Sequence, residues 1–365
     1  MIIGAGVFGI PYAVAQAGFA VGLFYLVLLG GAVMLLHLFY GEIVLRTHQE
    51  HRLIGYAAKY LGEEAKKVAT FTVLFEYYGS LLAYIIIGGN FLMILLGRFF
   101  GGNEVFWAAV FFAVGATLIF GGLKTVVKNE LFLTGLLLVS LAAMLFSGVP
   151  QMNFDNLKTI NFNKFFLPYG VILFSLAGSA VIPEVRKIMT GQEKKIKKVI
   201  ILGTLIPAIL YLFFALVVVG VTGSGTTEEA INGLMPYLGN WVISVGAIFG
   251  ILAVLTSFLA LGLCLEEVLH DDYRIKKMAA FCLALFVPFL AYLFGIKSFI
   301  FIIGLVGSLA AGVDGILTVL IYFKAKKIGD RQPEYRIKSG VFWGWLLILM
   351  FSLGFIYQFI YLSAK

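Results

Sequence analysis

Two copies of one short pattern, Ala-Gly-x-x-x-Ile-Pro, lie inside long apolar stretches, at residues 5–11 and 177–183. Glycine and proline weaken or break a helix there and free backbone N–H and C=O groups, which hydrocarbon cannot satisfy. Free N–H groups attract anions and free carbonyls attract cations. Interrupted apolar segments at matching places in two halves of a membrane protein indicate a transporter's substrate site. The alternative is chance, because glycine and proline are common in membrane helices.

Carboxylates inside apolar stretches are the second candidate for chemistry. Glu76 and Asp314 both lie within such stretches, where an ionisable residue is a functional candidate by default. Either side chain could carry a proton, and a structural pair of carboxylates is the open alternative. Glu42 lies near Arg46 at the end of its stretch, which favours a gate or a structural salt bridge.

The histidines argue against a metalloenzyme. There are four of them, and His37 stands alone in an apolar stretch while His48, His51 and His270 fall in basic loops. A metal site needs several ligands that converge. We therefore expect no catalytic residues, no cofactor and no metal beyond a possible coupling ion.

The composition places the chain in a membrane. Hydrophobic residues make up 61% and charged residues 13% of the sequence, and the mean hydropathy is +1.01. A soluble domain has an apolar share of about 45–50%. The chain is therefore predicted to be an all-α integral membrane protein whose surroundings are the lipid bilayer. The residues behind its net charge of +8 lie mainly in the loops between apolar segments. We therefore expect no nucleic-acid partner.

Apolar runs separated by charged or turn-rich breaks predict eleven transmembrane segments. They cover approximately residues 1–20, 22–45, 67–97, 104–121, 127–149, 165–187, 198–222, 240–265, 276–294, 298–323 and 340–362.

Lysine and arginine predict the orientation. All but five of the 27 such residues fall in one set of alternating loops; the exceptions are Arg98, Lys158, Lys164, Lys297 and Lys365. Loops rich in these residues stay in the cytoplasm. We therefore predict a multi-pass protein of the plasma (cytoplasmic, inner) membrane with its N-terminus inside and its C-terminus outside. Residues 52–64 are typical of a short amphipathic helix on the inner interface, and residues 226–237 of a solvated external loop, with a lid as the alternative.

The segments fit a five-plus-five inverted repeat within a single transport domain, residues 1–365. Repeat one covers 1–149, repeat two covers 165–323, and 340–362 is an extra helix. Because each half has an odd number of spans, the second half enters the membrane upside down. The two Ala-Gly-x-x-x-Ile-Pro patterns then open the halves at equivalent places, as broken helices 1 and 6.

Four motifs of the chain are distinctive. They are Ile-Gly-Ala-Gly-Val-Phe-Gly-Ile-Pro-Tyr-Ala from residue 3, Tyr-Gly-Glu-Ile at 40–43, Gly-Tyr-Ala-Ala-Lys-Tyr-Leu-Gly at 55–62, and Phe-Ser-Leu-Ala-Gly-Ser-Ala-Val-Ile-Pro-Glu-Val at 174–185. The first three resemble amino acid permeases of the amino acid/auxin and hydroxy/aromatic amino acid permease families, and the fourth is similar to the broken sixth helix of the same families. These belong to the amino acid–polyamine–cation superfamily, which implies the leucine-transporter fold. Relative to the families, we expect the inner half of helix 1 to be missing.

The resemblance implies a substrate site at the two helix breaks. Backbone and small side chains there would contact an amino acid, with an aromatic residue of the third segment beside them. The implied residues are Gly4, Ala5, Gly6, Val7, Tyr84, Ser175, Ala177, Gly178 and Ser179. Tight helix packing is the alternative role for the glycines, and an ordinary packed tyrosine is the alternative for Tyr84.

Thr256 and Ser257 resemble the Thr-Ser pair that helps to hold sodium in sodium-coupled members. Two neighbouring hydroxyls with backbone carbonyls suit a hard cation, although membrane hydroxyls often bond only within the bundle. The coupling ion is thus sodium at Thr256 and Ser257, or a proton on Glu76 or Asp314.

The sequence predicts a secondary active transporter of a neutral or aromatic amino acid that works by alternating access. A carrier of another small solute on the same fold and a non-transporting amino acid sensor stay open, as does the oligomeric state.

Overall fold

The computed structural model describes residues 2–121 and 130–363, except the side chains of 130–134, 271–272 and 361–363. Every regular element in these ranges is a helix, as the composition predicts. The helices are α1 (Gly6–Ala17), α2 (Phe19–Leu45), α3 (Leu53–Leu61), α4 (Glu63–Phe100), α5 (Glu104–Phe120), α6 (Glu130–Gly148), α7 (Leu167–Leu176), α8 (Ile182–Ile188), α9 (Ile196–Thr222), α10 (Ile231–Glu267), α11 (Lys277–Leu293), α12 (Phe299–Val306), α13 (Gly312–Ile328) and α14 (Gly340–Ser363).

Seven helical stretches among the described residues are long and apolar enough to cross a membrane. They are Phe19–Leu45, Glu63–Phe100, Leu167–Ile188, Glu193–Gly225, Ile231–His270, Phe299–Ile328 and Gly340–Ile360. Three shorter apolar helices coincide with predicted segments, and α1 has only 12 residues. The count of eleven spans therefore stays a prediction, and the start of the fifth segment lies outside the described residues.

α1 lies at the centre of the bundle, where it packs against α2, α7 and α9. Phe8 of α1 is fully buried and makes edge-to-face contacts with Phe91 of α4 and Phe214 of α9, at ring-centroid distances of 4.9 and 6.4 Å. Aromatic pairs favour this geometry. α1 is thus held on two sides by helices that are distant in sequence.

The backbones of α7 and of the chain between α12 and α13 touch. A Cβ atom on Gly307 would lie 1.9 Å from the Gly170 carbonyl oxygen, and one on Gly170 would lie 2.1 Å from the Gly304 carbonyl oxygen. Small residues permit such close approach between membrane helices. Residues 307–311 form a π-helical turn at this contact, which holds the first half of α7 against α12 and the turn.

Residues 226–230, which were expected to belong to a solvated external loop, are largely buried, so the expectation of a solvated loop is wrong. Thr226, Glu229 and Ala230 are at most 8% exposed, and burial raises the pKa of the Glu229 carboxyl. The Glu228 carboxylate accepts hydrogen bonds from the Ser298 hydroxyl at 3.0 Å and the Ile300 N–H at 3.1 Å. This loop therefore covers the bundle and is fastened to the start of α12.

We call the opposite end of the molecule the basic face; it comprises the C-terminus of α2, α3, residues 182–198 from α8 to the start of α9, and residues 329–338. The last carbonyls of α2 accept hydrogen bonds from arginines. Arg186 donates to the Val44 and Thr47 carbonyls, both at 2.6 Å, and Arg331 donates to the Leu45 carbonyl at 3.1 Å. Cations favour a helix C-terminus, where carbonyls lack partners within the helix. α2 is thereby tied to α8 and to the segment before α14.

Two ion pairs complete the basic face. Glu42 and Arg46 are 1% and 8% exposed and are paired at 2.8 Å, while the second Glu42 oxygen accepts from the Ile337 N–H at 2.8 Å. Lys59 on α3 is paired with Asp330 at 2.6 Å, and this hydrogen bond lowers the pKa of the Asp330 carboxyl. The predicted amphipathic helix is α3, and it is anchored here.

Candidate substrate and ion site

The start of α1 crosses the end of α7, and their backbones are in contact there. Residues 2–5 are not helical, and α1 begins at Gly6. A Cβ atom on Gly6 would lie 2.7 Å from the Ser175 Cα atom and 2.5 Å from its hydroxyl oxygen. A glycine is required here because a backbone atom cannot move aside as a flexible side chain can. Two of the predicted substrate residues are therefore in direct contact.

The chain between α7 and α8 leaves the helical conformation at Ala177 and Gly178. Ala177 has ψ 127°, and Gly178 has φ −165° and ψ 8°. Both residues belong to the second Ala-Gly-x-x-x-Ile-Pro pattern, and half-buried Ser179 follows them. A Cβ atom on Gly178 would meet the Ile2 side chain at 2.4 Å, so the two interrupted stretches also touch through this residue.

Tyr211 of α9 bridges the two interrupted stretches. Its hydroxyl lies 2.7 Å from the Ile2 carbonyl oxygen and 3.2 Å from the Ser175 carbonyl oxygen, as donor to both, and the side chain is fully buried. Unwound backbone in a membrane protein needs such partners. Tyr211 is not among the residues predicted from the sequence, although a single tyrosine in the apolar run of segment 7 was the available signal.

His37 of α2 lies beside the same break. The Thr204 hydroxyl donates to the Ile200 carbonyl at 3.0 Å and therefore accepts from the His37 Nδ1 atom at 2.9 Å. The His37 ring edge would lie 3.6 Å from a Cβ atom on Gly178. From the sequence this histidine was weighed only as a metal ligand, whereas the structure places it in the wall of the predicted substrate site.

The other predicted substrate residues border this junction. Ala5 and Val7 are buried, Gly4 is half-buried, and the Ser175 hydroxyl donates to the Val171 carbonyl at 2.7 Å. Tyr84 of α4 is half-buried and close enough to Tyr211 to interact electrostatically. The structure thus brings the predicted residues to one region, and their contact with a substrate stays a prediction.

The predicted sodium ligands lie next to Gly4. The hydroxyls of Thr256 and Ser257 both donate to the Ala253 carbonyl, at 3.0 and 2.9 Å. The Ser257 hydroxyl oxygen would lie 3.9 Å from a Cβ atom on Gly4. Three oxygens of α10 therefore cluster beside the non-helical start of α1. Oxygen atoms in such a cluster suit a hard cation.

The two half-buried carboxylates, Glu76 and Asp314, form a separate group. The Asp314 carboxylate of α13 is hydrogen-bonded to the Thr72 hydroxyl of α4. Glu76 is four residues after Thr72 and therefore lies on the same face of α4. Within the ranges that the structure describes, three or more His, Cys, Asp or Glu side chains nowhere gather as a metal site would require.

We expect Tyr211→Phe to destabilise the protein. The substitution removes the hydroxyl that two buried carbonyls share, and an unsatisfied buried acceptor costs about 1–3 kcal/mol. The thermal midpoint in detergent should fall by several degrees. Tyr322→Phe is the matched control, because Tyr322 is equally buried and its hydroxyl has no hydrogen-bond partner among the described residues. Equal midpoints for the two variants would contradict the bridging role.

Known proteins match the chain along nearly its whole length. The tryptophan/tyrosine permease family matches residues 1–359. Tyrosine-specific transport system 1 of Haemophilus influenzae is 27% identical over 377 residues, which cover 97% of this chain and 92% of the relative. Glutamine transporter 2 of Aliivibrio fischeri is 25% identical over 319 residues, with 84% and 81% covered.

A solved structure shares the fold. The crystal structure of MhsT in complex with L-phenylalanine matches with a TM-score of 0.60 at 14% sequence identity. The match covers 98% of this chain and 95% of that one. At such low identity the likeness concerns the fold alone, which is the leucine-transporter-like fold expected from the sequence.

Proposed function

Because the family match spans residues 1–359, the chain belongs to the tryptophan/tyrosine permease family, and we propose that it is a secondary active amino acid transporter. It moves a neutral or aromatic amino acid across the membrane by alternating access, driven by a sodium or a proton gradient. The observation that carries this proposal is the junction of α1 and α7, where Gly6 touches Ser175 and Tyr211 binds the carbonyls of both stretches.

The helix ends at this junction have opposite partial charges. The first hydrogen bond of α1 runs from the Val7 N–H to the Gly4 carbonyl, so the N–H groups of Gly4, Ala5 and Gly6 precede it at the positive end of the helix dipole. α7 ends at Leu176 and presents its negative end nearby. Anions favour the first end and cations the second. The substrate carboxylate therefore binds at α1 and its ammonium group at the end of α7.

An aromatic side chain is the preferred substrate feature. One relative is named for tyrosine and another for glutamine, and the solved neighbour holds L-phenylalanine. Tyr84 and Ser179 border the junction and offer an aromatic face and a small side chain to such a substrate. Competition by unlabelled tyrosine, tryptophan, phenylalanine and glutamine against labelled tyrosine measures this preference. Stronger competition by glutamine than by tyrosine contradicts it.

Sodium is supported by the cluster of Ala253, Thr256 and Ser257 oxygens beside Gly4. Both hydroxyl hydrogens point to the Ala253 carbonyl, which leaves hydroxyl lone pairs available to a cation. A site shared between α10 and the non-helical start of α1 also links ion binding to the substrate junction. Binding of sodium would then favour binding of the amino acid, and binding of the amino acid would favour binding of sodium.

A proton is supported by the second group, Asp314 with Thr72 and Glu76. Carboxylates within a membrane bundle commonly form proton relays. α4 carries both Glu76 and Tyr84. Protonation of Glu76 would therefore affect the substrate site through this one helix.

Uptake under each gradient separately tests the function. Purified protein in liposomes should accumulate labelled tyrosine above the outside concentration under an inward sodium gradient or under an inward proton gradient. No uptake of any amino acid, with tyrosine binding preserved, would indicate the sensor instead. Uptake of a nucleobase or polyamine alone would indicate a carrier of another solute.

Substitutions identify the ion. We expect the double change Thr256→Val with Ser257→Ala to raise the sodium concentration for half-maximal uptake at least about tenfold, because it removes two of the oxygen ligands that a hard cation needs. Ser140→Ala is the matched control, because this serine of α6 is 1% exposed and donates to a carbonyl of its own helix in the same way. If proton drives uptake, Asp314→Asn abolishes it and the hydroxyl variants transport normally.

For the orientation, we propose that the basic face is cytoplasmic, with the N-terminus inside and the C-terminus outside. The concentration of lysine and arginine on that face supports this assignment. Labelling of a cysteine introduced at exposed Lys194 by an impermeant maleimide, only after the cells are opened, would agree with it.

A further inference from the structure

A cavity of about 490 Å³ opens on the basic face between α2, α13 and the start of α14. Four cationic side chains line it, Arg46, Lys326, Arg336 and Lys338, together with the single carboxylate of Glu42. Such an accumulation of one charge is unfavourable by itself and favours an anionic occupant.

Both oxygens of the Glu42 carboxylate already accept hydrogen bonds from the protein. One Glu42 oxygen accepts from Arg46 and the other from the Ile337 N–H. No carboxylate of the described residues forms an ion pair with Lys326, Arg336 or Lys338, and Arg336 donates only to the neutral Gln332 amide. Three positive charges in the cavity are therefore uncompensated.

The start of α14 adds to this positive potential. The first hydrogen bond of α14 runs from the Trp343 N–H to the carbonyl of Ser339, which itself lines the cavity. The N–H groups before it lie at the positive end of a 24-residue helix. A Cβ atom on Gly340 would lie 2.2 Å from the Tyr322 hydroxyl oxygen of α13. This close packing fixes the N-terminal end of α14 beside Lys326, which lies one helical turn after Tyr322.

Aromatic side chains place the cavity at the level of lipid headgroups. The first turns of α14 carry Phe342, Trp343 and Trp345, which are 65%, 42% and 59% exposed. Tryptophan is enriched at membrane–water interfaces. The side chains that follow, such as Leu349 and Leu353, are exposed and apolar, as on a lipid-facing surface. The cavity is thus next to the point where α14 enters the bilayer.

We propose that this cavity binds the phosphate-bearing headgroup of an anionic phospholipid. Lys326, Arg336 and Lys338 contact the phosphate, and the acyl chains run along the exposed apolar side chains of α14. A free phosphate ion offers the same charge, but it gains nothing from the adjoining apolar surface.

The bound headgroup stabilises the basic face. The segment that supplies Arg336 and Lys338 is also fastened to α2, since Arg331 donates to the Leu45 carbonyl and the Tyr335 hydroxyl donates to the Leu38 carbonyl at 2.7 Å. A ligand that binds the folded protein alone raises its stability. The lipid therefore raises the thermal midpoint of the whole protein.

Native mass spectrometry of delipidated protein with added phosphatidylglycerol or phosphatidylcholine tests the proposal. We expect selective retention of phosphatidylglycerol by the wild type. The triple variant K326Q/R336Q/K338Q should bind it at least about tenfold more weakly, because it removes three of the four cationic side chains that line the cavity. The matched control K194Q/K197Q/K198Q removes three exposed lysines elsewhere on the basic face and should bind as the wild type does.

Three results would overturn the proposal. Equal retention of the two lipids by the wild type would exclude an anionic headgroup site, and this measurement does not depend on any variant folding. Equal losses in the two triple variants would indicate a diffuse surface attraction. An inorganic phosphate that raises the thermal midpoint as much as phosphatidylglycerol would identify a soluble anion as the ligand. The charge-preserving pair K326R/K338R should retain the lipid.

Discussion

Gly6→Ala is expected to lower the initial rate of amino acid uptake at least about tenfold. The added Cβ atom would lie 2.7 Å from the Ser175 Cα atom, so α1 and α7 must separate, and overpacking of this kind costs about 1–3 kcal/mol. The separation also disturbs the Tyr211 hydroxyl, whose two acceptors are the Ile2 and Ser175 carbonyls. The substrate site thus loses its geometry through one methyl group.

Gly203→Ala is the control for this substitution. Gly203 lies on α9, which also carries Tyr211. Gly203 itself is exposed, and an added Cβ atom would have no atom within 4 Å. Its uptake rate should equal that of the wild type. Both variants are compared in liposomes at equal protein content, with thermal midpoints measured in parallel. A Gly6→Ala protein that transports normally would show that the backbone crossing is not needed for transport.

Much of the fold could be predicted because membrane helices leave a local signal. Hydropathy indicated the helices, and the second Ala-Gly-x-x-x-Ile-Pro pattern indicated where the backbone leaves the helix, at residues 177–178. In the first pattern the chain is helical from Gly6 through Pro11, and the non-helical residues 2–5 lie before Gly6. The resemblance to aromatic amino acid permeases is confirmed by the family match, and so is a permease rather than an enzyme. These conclusions depend on residues close together in the chain.

The contacts that tie the helices together could not be predicted. Tyr211 meets Ile2 across 209 residues and Glu228 meets Ser298 across 70 residues. No periodicity records such pairs, because each depends on how separate helices pack. The same holds for the cavity on the basic face, whose lining residues Arg46 and Lys326 come together only in the folded bundle.

Arg46→Ala is expected to destabilise the protein by about 3–5 kcal/mol, since it leaves the buried Glu42 carboxylate without its cation. Glu42 is 1% exposed and receives two hydrogen bonds from Arg46, at 2.9 and 2.8 Å. The thermal midpoint in detergent should fall strongly. Lys67→Ala is the contrasting variant, because its ion pair with Glu64 has side chains that are 71% and 86% exposed. An exposed pair of this kind contributes about 0–1 kcal/mol.

The double variant E42Q/R46M separates loss of the cation from loss of packing. Glutamine still accepts the Ile337 N–H, which lies 2.8 Å from Glu42, and methionine fills part of the arginine's volume without a charge. Replacement of a buried ion pair by neutral groups is often nearly neutral, whereas removal of one partner is not. We therefore expect E42Q/R46M to recover most of the stability that Arg46→Ala loses. A double variant as unstable as the single one would mean that Arg46 acts through its packing and not through the charge of Glu42.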